Sequence, residues 1–211
     1  MKAAIFDADG TLIDSMDAWD GIGRKYLKTL GIDADESVDK VIEIMSFADS
    51  CAYMIEKYGI NKTVPEMIDG ISKLVVNKYR FEIPLKAGVL NYLKKLKEDN
   101  VKICVLTASE RGYITECFER LGIMQFLSFI MTCSEEGLDK NSPQVYDRAT
   151  AKLGVAKDEV TVFEDAYNAI AAAKQGGYRV CAVYDNSAKL YEEQIKGCCD
   201  KYIKSFEELC K

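Results

Sequence analysis

The 211-residue sequence contains no histidine. That absence removes Ser-His-Asp and Cys-His nucleophilic machinery, together with every zinc site that needs an imidazole. No apolar run approaches the ~20 residues that a membrane-spanning helix requires. Met1 leads directly into a strand-like run without a basic and apolar leader, so a cytoplasmic location is expected. Repeats, low-complexity tracts and long linkers are missing as well. Eight cysteines are present, but the adjacent Cys198 and Cys199 lack the Cys-x-x-Cys spacing of a metal site, and reduced thiols are the expectation. Cys104, Cys133 and Cys181 lie in apolar, strand-like stretches and read as small core residues. Whatever chemistry occurs must use carboxylates, hydroxyls, lysines and a metal ion.

What is present suffices for a substantial core, with 48% hydrophobic residues in a chain long enough for one large domain or two modest ones. The net charge of −6 speaks against nucleic acid or an anionic membrane surface as partner. Nothing in the sequence fixes the oligomeric state; a monomer suffices. Strand-like runs recur at residues 3–6, 103–107, 129–132, 160–163 and 179–183, and helical patterns at 88–99, 111–121, 143–153 and 166–175 separate the later ones. This alternation predicts an α/β fold, a Rossmann-like parallel sheet flanked by crossover helices. Pro143 suits a first helical turn, and Gly122, Gly154 and Gly176 are placed for left-handed C-caps. Residues 15–84 break the rhythm, with an apolar helical stripe at Trp19, Ile22, Tyr26, Leu27 and Leu30 and another at Met67, Ile68, Ile71, Leu74 and Val75. The expected organisation is a core of residues 1–14 and 85–211 with a helical-bundle domain, 15–84, inserted into it.

The first strand-like run ends in Asp7-Ala8-Asp9-Gly10. If strand geometry persists to its end, the two carboxylates share a face at the carboxyl edge, where open α/β sheets place ligands. Their mutual repulsion calls for a cation, and hard oxygen donors suit Mg²⁺. A solvated turn is the ordinary alternative, since Asp and Gly are common turn residues. A calcium loop of the EF-hand type would need further oxygen ligands and a terminal Glu, where Thr11, Leu12 and Ile13 follow. Later strand ends each add a group that phosphoryl transfer uses. The second ends in Thr107-Ala108-Ser109, hydroxyls and N–H groups before a helix. Lys140 follows the third, just ahead of the Pro143 helix, and the fourth ends in Glu164-Asp165. Singly, these are an N-cap, a solvated lysine and another cap. In order at the carboxyl ends of four strands of one sheet, they point to one site.

The run Asp7-Ala8-Asp9-Gly10-Thr11-Leu12 resembles the first motif, Asp-x-Asp-Gly-Thr/Val-Leu/Ile, of the haloacid dehalogenase superfamily of phosphatases and mutases. Thr107 is similar to its second-motif hydroxyl, Lys140 with Pro143 to its third motif, and Glu164-Asp165 to its acidic fourth. The helical insertion resembles the cap of the β-phosphoglucomutase-like subgroup. The resemblance implies a phosphatase that hydrolyses a small phosphomonoester, such as a sugar phosphate, through an aspartyl-phosphate. Asp7 would attack phosphorus, while Asp9 would protonate the leaving oxygen and then activate water. Thr107, Ala108 and Lys140 would bind the phosphate. Mg²⁺ would be held by Asp7, Asp9 through its backbone carbonyl, and Asp165, with Glu164 near or in the shell.

The subgroup's mutase carries a hinge histidine ten residues after the second motif Asp and a cap arginine. Here Trp19 and Phe47 stand at those positions, which favours hydrolysis over mutase chemistry. Phosphonatases of the superfamily use a cap lysine, for which Lys25, Lys28 and Lys40 are available but read as solvated. A phosphoaccepting receiver-like signalling domain would place its acceptor Asp on a later strand and carry no helical insertion after the first. Arg24, Lys25, Tyr53, Tyr79 and Arg80 are the candidates for setting specificity.

Overall fold

The computed structural model describes residues 1–42 and 45–210. The chain divides into two compact units, one formed by Met1–Met16 with Ile83–Lys211 and the other by Asp17–Glu82. Among the described residues, no helix is long and apolar enough to cross a membrane.

The first unit is built on six parallel strands: β1 (Ala3–Phe6), β2 (Lys102–Thr107), β3 (Phe129–Thr132), β4 (Val160–Glu164), β5 (Arg179–Val183) and β6 (Lys201–Ile203). Their order across the sheet is β3-β2-β1-β4-β5-β6. The order reverses between β1 and β4, the point at which an open α/β sheet opens a ligand crevice beyond its carboxyl edge. β1 is buried at all four positions, as expected of a strand covered on both faces. Successive residues divide between those faces. Ile5 packs with Cys104, Leu106, Val162 and the helix residues Tyr146 and Ile170. Phe6 turns the other way and stacks on Phe163 with ring centroids 4.4 Å apart, and Tyr92 and Phe206 close around the pair at 6.3 and 6.1 Å from Phe6. Each such contact adds about 1 kcal/mol beyond area burial.

The crossover helices of this unit are α6 (Val89–Glu98), α7 (Arg111–Arg120), α8 (Cys133–Glu136), α9 (Pro143–Leu153), α10 (Tyr167–Gln175) and α11 (Glu192–Cys198), which follow five earlier helices in the chain. Pro143 opens α9 behind an N-cap at Ser142. Gly122 and Gly154 end their helices in the left-handed region at φ 69° and 65°. Gly176 differs, because it caps α10 in right-handed geometry and the reversal falls one residue later, at Gly177. Cys104 and Cys181 are buried on strands, whereas Cys133 opens α8 and is only half-buried. All eight cysteines are free thiols.

The second unit holds the remaining helices: α2 (Ile22–Thr29), α3 (Ser37–Ile42), α4 (Phe47–Tyr58) and α5 (Val64–Phe81), with α1 (Met16–Trp19) leading in. Its core gathers Tyr26, Leu27, Val38, Cys51, Met54, Met67 and Ile71. α5 starts on a capping box, in which the Thr63 hydroxyl accepts from the Glu66 N–H and the Glu66 carboxylate accepts from the Thr63 N–H. Leu74, expected in the apolar stripe, is instead 39% exposed. The buried line runs through Met67, Ile71, Val75 and Tyr79, a spacing of four that leaves Leu74 to one side.

Candidate active site

Asp7 follows β1 and is anchored by its N–H to the Phe163 carbonyl of β4 at 2.9 Å. This bond sets it beside the end of β4, where Glu164 and Asp165 stand. Possible ligand atoms of Asp7, Glu164 and Asp165 lie within 4.8 Å of one another, and these residues are 7%, 1% and 3% exposed. Lys140, from the loop ahead of α9, places its ammonium against Asp7 and Glu164. It donates to Asp7 Oδ1 and lies 2.6 Å from Glu164 Oε1. The other oxygen of Glu164 accepts the Asp165 N–H at 2.9 Å, and the Thr11 hydroxyl donates to Asp165 Oδ1 at 2.8 Å.

The electrostatics follow from three buried carboxylates around one ammonium. Burial above all, then the Glu164 charge, pushes the Asp7 carboxyl up to about 8, against the opposing pull of Lys140. Asp165 is raised well above the usual carboxylate range by burial and by its two acidic neighbours. Burial acts to lower Lys140, but Asp7 and Glu164 outweigh it, and the amine stays charged. With all three carboxylates ionised the cluster would hold more buried negative charge than one lysine neutralises, and unpaired buried charge is costly, so without a cation the acids retain protons. A hard divalent cation fits that donor set of carboxylate oxygens.

Among the described residues the metal-ligand grouping is Asp7, Glu164 and Asp165 without Asp9, although the Asp9 charge still bears on Asp7. β1 ends at Phe6, so strand alternation does not carry on to Asp9. Its carboxylate accepts from the Ser15 hydroxyl on Oδ1 and the Ser109 hydroxyl on Oδ2, both at 2.6 Å. Gly10 then turns the chain at φ 81° and runs so close to Asp165 that a Cβ there would meet Asp165 Oδ2 at 2.4 Å. Thr107 ends β2, fully buried, and its hydroxyl accepts the Ser109 N–H at 3.0 Å. The register pairs Phe6 with Val105, which sets Thr107 alongside the Asp7 to Asp9 loop. Ala108 is the exposed residue between Thr107 and Ser109. Ser15 and the salt-bridged Lys86, described below, carry no sequence signal of their own, whereas Thr11 and Ser109 lie inside the motif segments.

In the helical unit, the Trp19 indole N–H donates to Tyr79 Oη at 2.6 Å, and the Trp19 ring meets Phe47 edge-on at 5.7 Å. Tyr79 is fully buried, which removes it from the candidates for contact with a substrate. Arg24 is engaged by Asp39 at 2.8 Å and Glu36 at 3.6 Å. Lys25 donates to the Asp20 carbonyl at 2.6 Å. Lys25, Lys28 and Lys40 are exposed, the ordinary state of helix-surface lysines.

The family model described as "Haloacid dehalogenase-like hydrolase" matches residues 4–183. The chain belongs to the haloacid dehalogenase-like hydrolases. It is 27% identical over 180 residues to a validoxylamine A 7'-phosphate phosphatase of Streptomyces hygroscopicus subsp. limoneus, covering 83% of this chain and 82% of that one. Glycerol-1-phosphate phosphohydrolase 2 of Saccharomyces cerevisiae is 29% identical over 227 residues, covering 99% and 84%. Among solved structures, a β-phosphoglucomutase from Clostridium difficile superposes with a TM-score of 0.79 at 22% identity, over 99% of this hydrolase and 93% of the mutase.

Proposed function

We propose that this haloacid dehalogenase-like hydrolase is a Mg²⁺-dependent phosphatase that cleaves a small phosphomonoester, of the sugar-phosphate kind, through an aspartyl-phosphate. The observation that carries the reading is the buried cluster of Asp7, Glu164 and Asp165 around Lys140 at the β1–β4 switch point. The phosphatase names of relatives that align over most of the chain support it.

Asp7 attacks phosphorus in line, and the bond to the leaving oxygen breaks as that oxygen takes a proton from Asp9. Asp9 then accepts a proton from a water molecule, whose oxygen attacks phosphorus and returns Asp7 to a free carboxylate. Phosphoryl transfer of this kind needs positioning and charge neutralisation more than covalent assistance. Lys140 contributes both, since its ammonium fixes one oxygen of the nucleophile and sits where phosphate charge would arrive. Ser15 and Ser109 hold both oxygens of Asp9, which gives a general acid a fixed reach. Thr107 and the Ala108 N–H would take the remaining phosphate oxygens. Asp7, the backbone carbonyl of Asp9 and Asp165 would hold Mg²⁺, with Glu164 beside them. When bound, the ion would neutralise charge on the phosphoryl oxygens and on the paired carboxylates.

The inserted helical unit is the counterpart of the family's cap. Trp19 and Phe47, at the mutase's histidine and arginine positions, pack against each other, and neither supplies a cation for a second phosphate. Hydrolysis is therefore favoured over transfer within a sugar bisphosphate. A screen of sugar phosphates, nucleotides and small phosphoesters with Mg²⁺ tests this, run beside a β-glucose 1-phosphate mutase assay. Release of inorganic phosphate should dominate; mutase turnover exceeding hydrolysis overturns the reading.

A further inference from the structure

Lys86 has a buried ammonium that neither the core nor the proposed chemistry accounts for. Its side chain is 14% exposed, and a lysine is almost never that buried without partners. The amine donates to the Gly10 carbonyl at 2.6 Å, the Tyr184 carbonyl at 2.7 Å and Asp185 Oδ2 at 2.7 Å. An ammonium has three donors, and all are committed. Asp185 is fixed in turn, its other oxygen accepting from the Ser187 N–H and hydroxyl at 2.9 and 2.7 Å. The Lys86 backbone grips the same loop from a second side, its N–H donating to the Leu12 carbonyl at 3.0 Å. A lysine present only to pair with Asp185 would have no need of two main-chain carbonyls from loops that follow β1 and β5.

We infer that Lys86 is a positioning residue for the Asp7–Leu12 loop, bracing the Gly10 carbonyl against the loop after β5. Its structural part stands alone, and its catalytic consequence rests on the phosphatase reading. Asp9 and Thr11 flank Gly10, so the orientation of that one carbonyl bears on the Asp9 carboxylate and, through the Thr11 hydroxyl, on Asp165. There is little slack, given the 2.4 Å that a Gly10 Cβ would leave to Asp165 Oδ2. Misplacement of a positioned group by about 1 Å costs on the order of 100-fold in rate.

Lys86→Met removes the ammonium but keeps the apolar stem. Lys86→Met with Asp185→Leu also removes the carboxylate that would be left buried and unpaired, and so protects folding; Lys86→Arg restores a cation. Two measurements decide: amide hydrogen exchange of the peptide spanning residues 7–13, and kcat and KM for p-nitrophenyl phosphate with Mg²⁺. In both Met variants, exchange of that peptide should quicken at least tenfold with the β2 peptide unchanged. Turnover should fall about 100-fold with KM within about threefold, and Lys86→Arg should recover part of it. Unchanged exchange in a folded Met variant overturns the inference whatever the activity, and so does kcat within about threefold of the parent. If both Met variants fail to fold, Asp185→Asn, which frees one anchor of Lys86, decides by the same two readouts. An unmutated protein that hydrolyses no phosphate ester refutes the phosphatase reading instead, and exchange alone then decides the role of Lys86.

Discussion

Removing the divalent cation should leave a protein whose stability falls as pH rises from about 4 to about 8, and Mg²⁺ should reverse the loss. In the cation-free chain the Asp7 carboxyl stands at about 8, raised by burial first and by Glu164 second, and Asp165 is raised with it. Unfolded, both titrate near ~3.9. The folded state therefore binds their protons more tightly, so the stability they contribute is complete below about pH 4 and is lost as pH climbs through the folded values. At ~1.4 kcal/mol per pKa unit, Asp7 alone accounts for about 6 kcal/mol across that window, a large share of the ~5–15 kcal/mol that holds a typical fold. The chain has no histidine, so no imidazole titration overlays the effect. Burial also pushes the Cys104, Cys117, Cys133 and Cys181 thiols up, away from the window. Thermal melts at pH 5, 6.5 and 8, with chelator or with Mg²⁺, give the answer. The Tm difference between the two conditions should widen by about 10 °C from pH 5 to pH 8. A difference that does not grow with pH, or a chelated protein as stable at pH 8 as at pH 5, rules out buried, proton-holding carboxyls at Asp7 and Asp165.

Three substitutions probe the Gly10 turn, the Lys140 ammonium and the α5 cap. Gly10→Ala forces a side chain onto a φ of 81° and into the Asp165 carboxylate; the Mg²⁺ concentration for half-maximal activity should rise at least tenfold (~1.4 kcal/mol), and an unchanged value would contradict the packing described. Lys140→Met deprives Asp7 and Glu164 of their shared cation, so urea unfolding of the chelated protein should show a loss of about 3–5 kcal/mol, with turnover down by roughly 100-fold or more. Thr63→Ala removes the capping box of α5 and should lower stability by about 1 kcal/mol with kcat unchanged, as a melt and a turnover assay together would report.

The sheet was legible because buried parallel strands are written as apolar runs, and β1 to β5 each ended in the acids, hydroxyls or glycines that punctuate a strand. β6 was not, since Lys201-Tyr202-Ile203 is a three-residue edge strand with no run long enough to stand out. The helical unit was legible by its periodicity, but not which flank of α5 faces its neighbours, and Leu74 fell on the open side. At the site, residue types and order were readable while geometry was not. Period-two alternation placed Asp7 and Asp9 on one face, yet β1 stops before either, and their carboxylates meet different partners, Lys140 for Asp7 and Ser15 with Ser109 for Asp9. Ser15 and Lys86 escaped notice for a related reason. A serine behind Asp14 and a lysine two residues ahead of Gly88 are ordinary surface residues until the fold buries them against a particular carboxylate or carbonyl.

In the proposed reaction Asp7 carries the phosphoryl group. The most direct measurement is acid-quenched mass spectrometry of the protein during turnover, locating any phosphoryl adduct by peptide. An acid-stable, hydroxylamine-labile phosphoryl group should appear on the peptide containing Asp7, with neither adduct nor turnover in Asp7→Asn. Steady hydrolysis with no adduct on that peptide, together with substantial activity in Asp7→Asn, would contradict that role for Asp7.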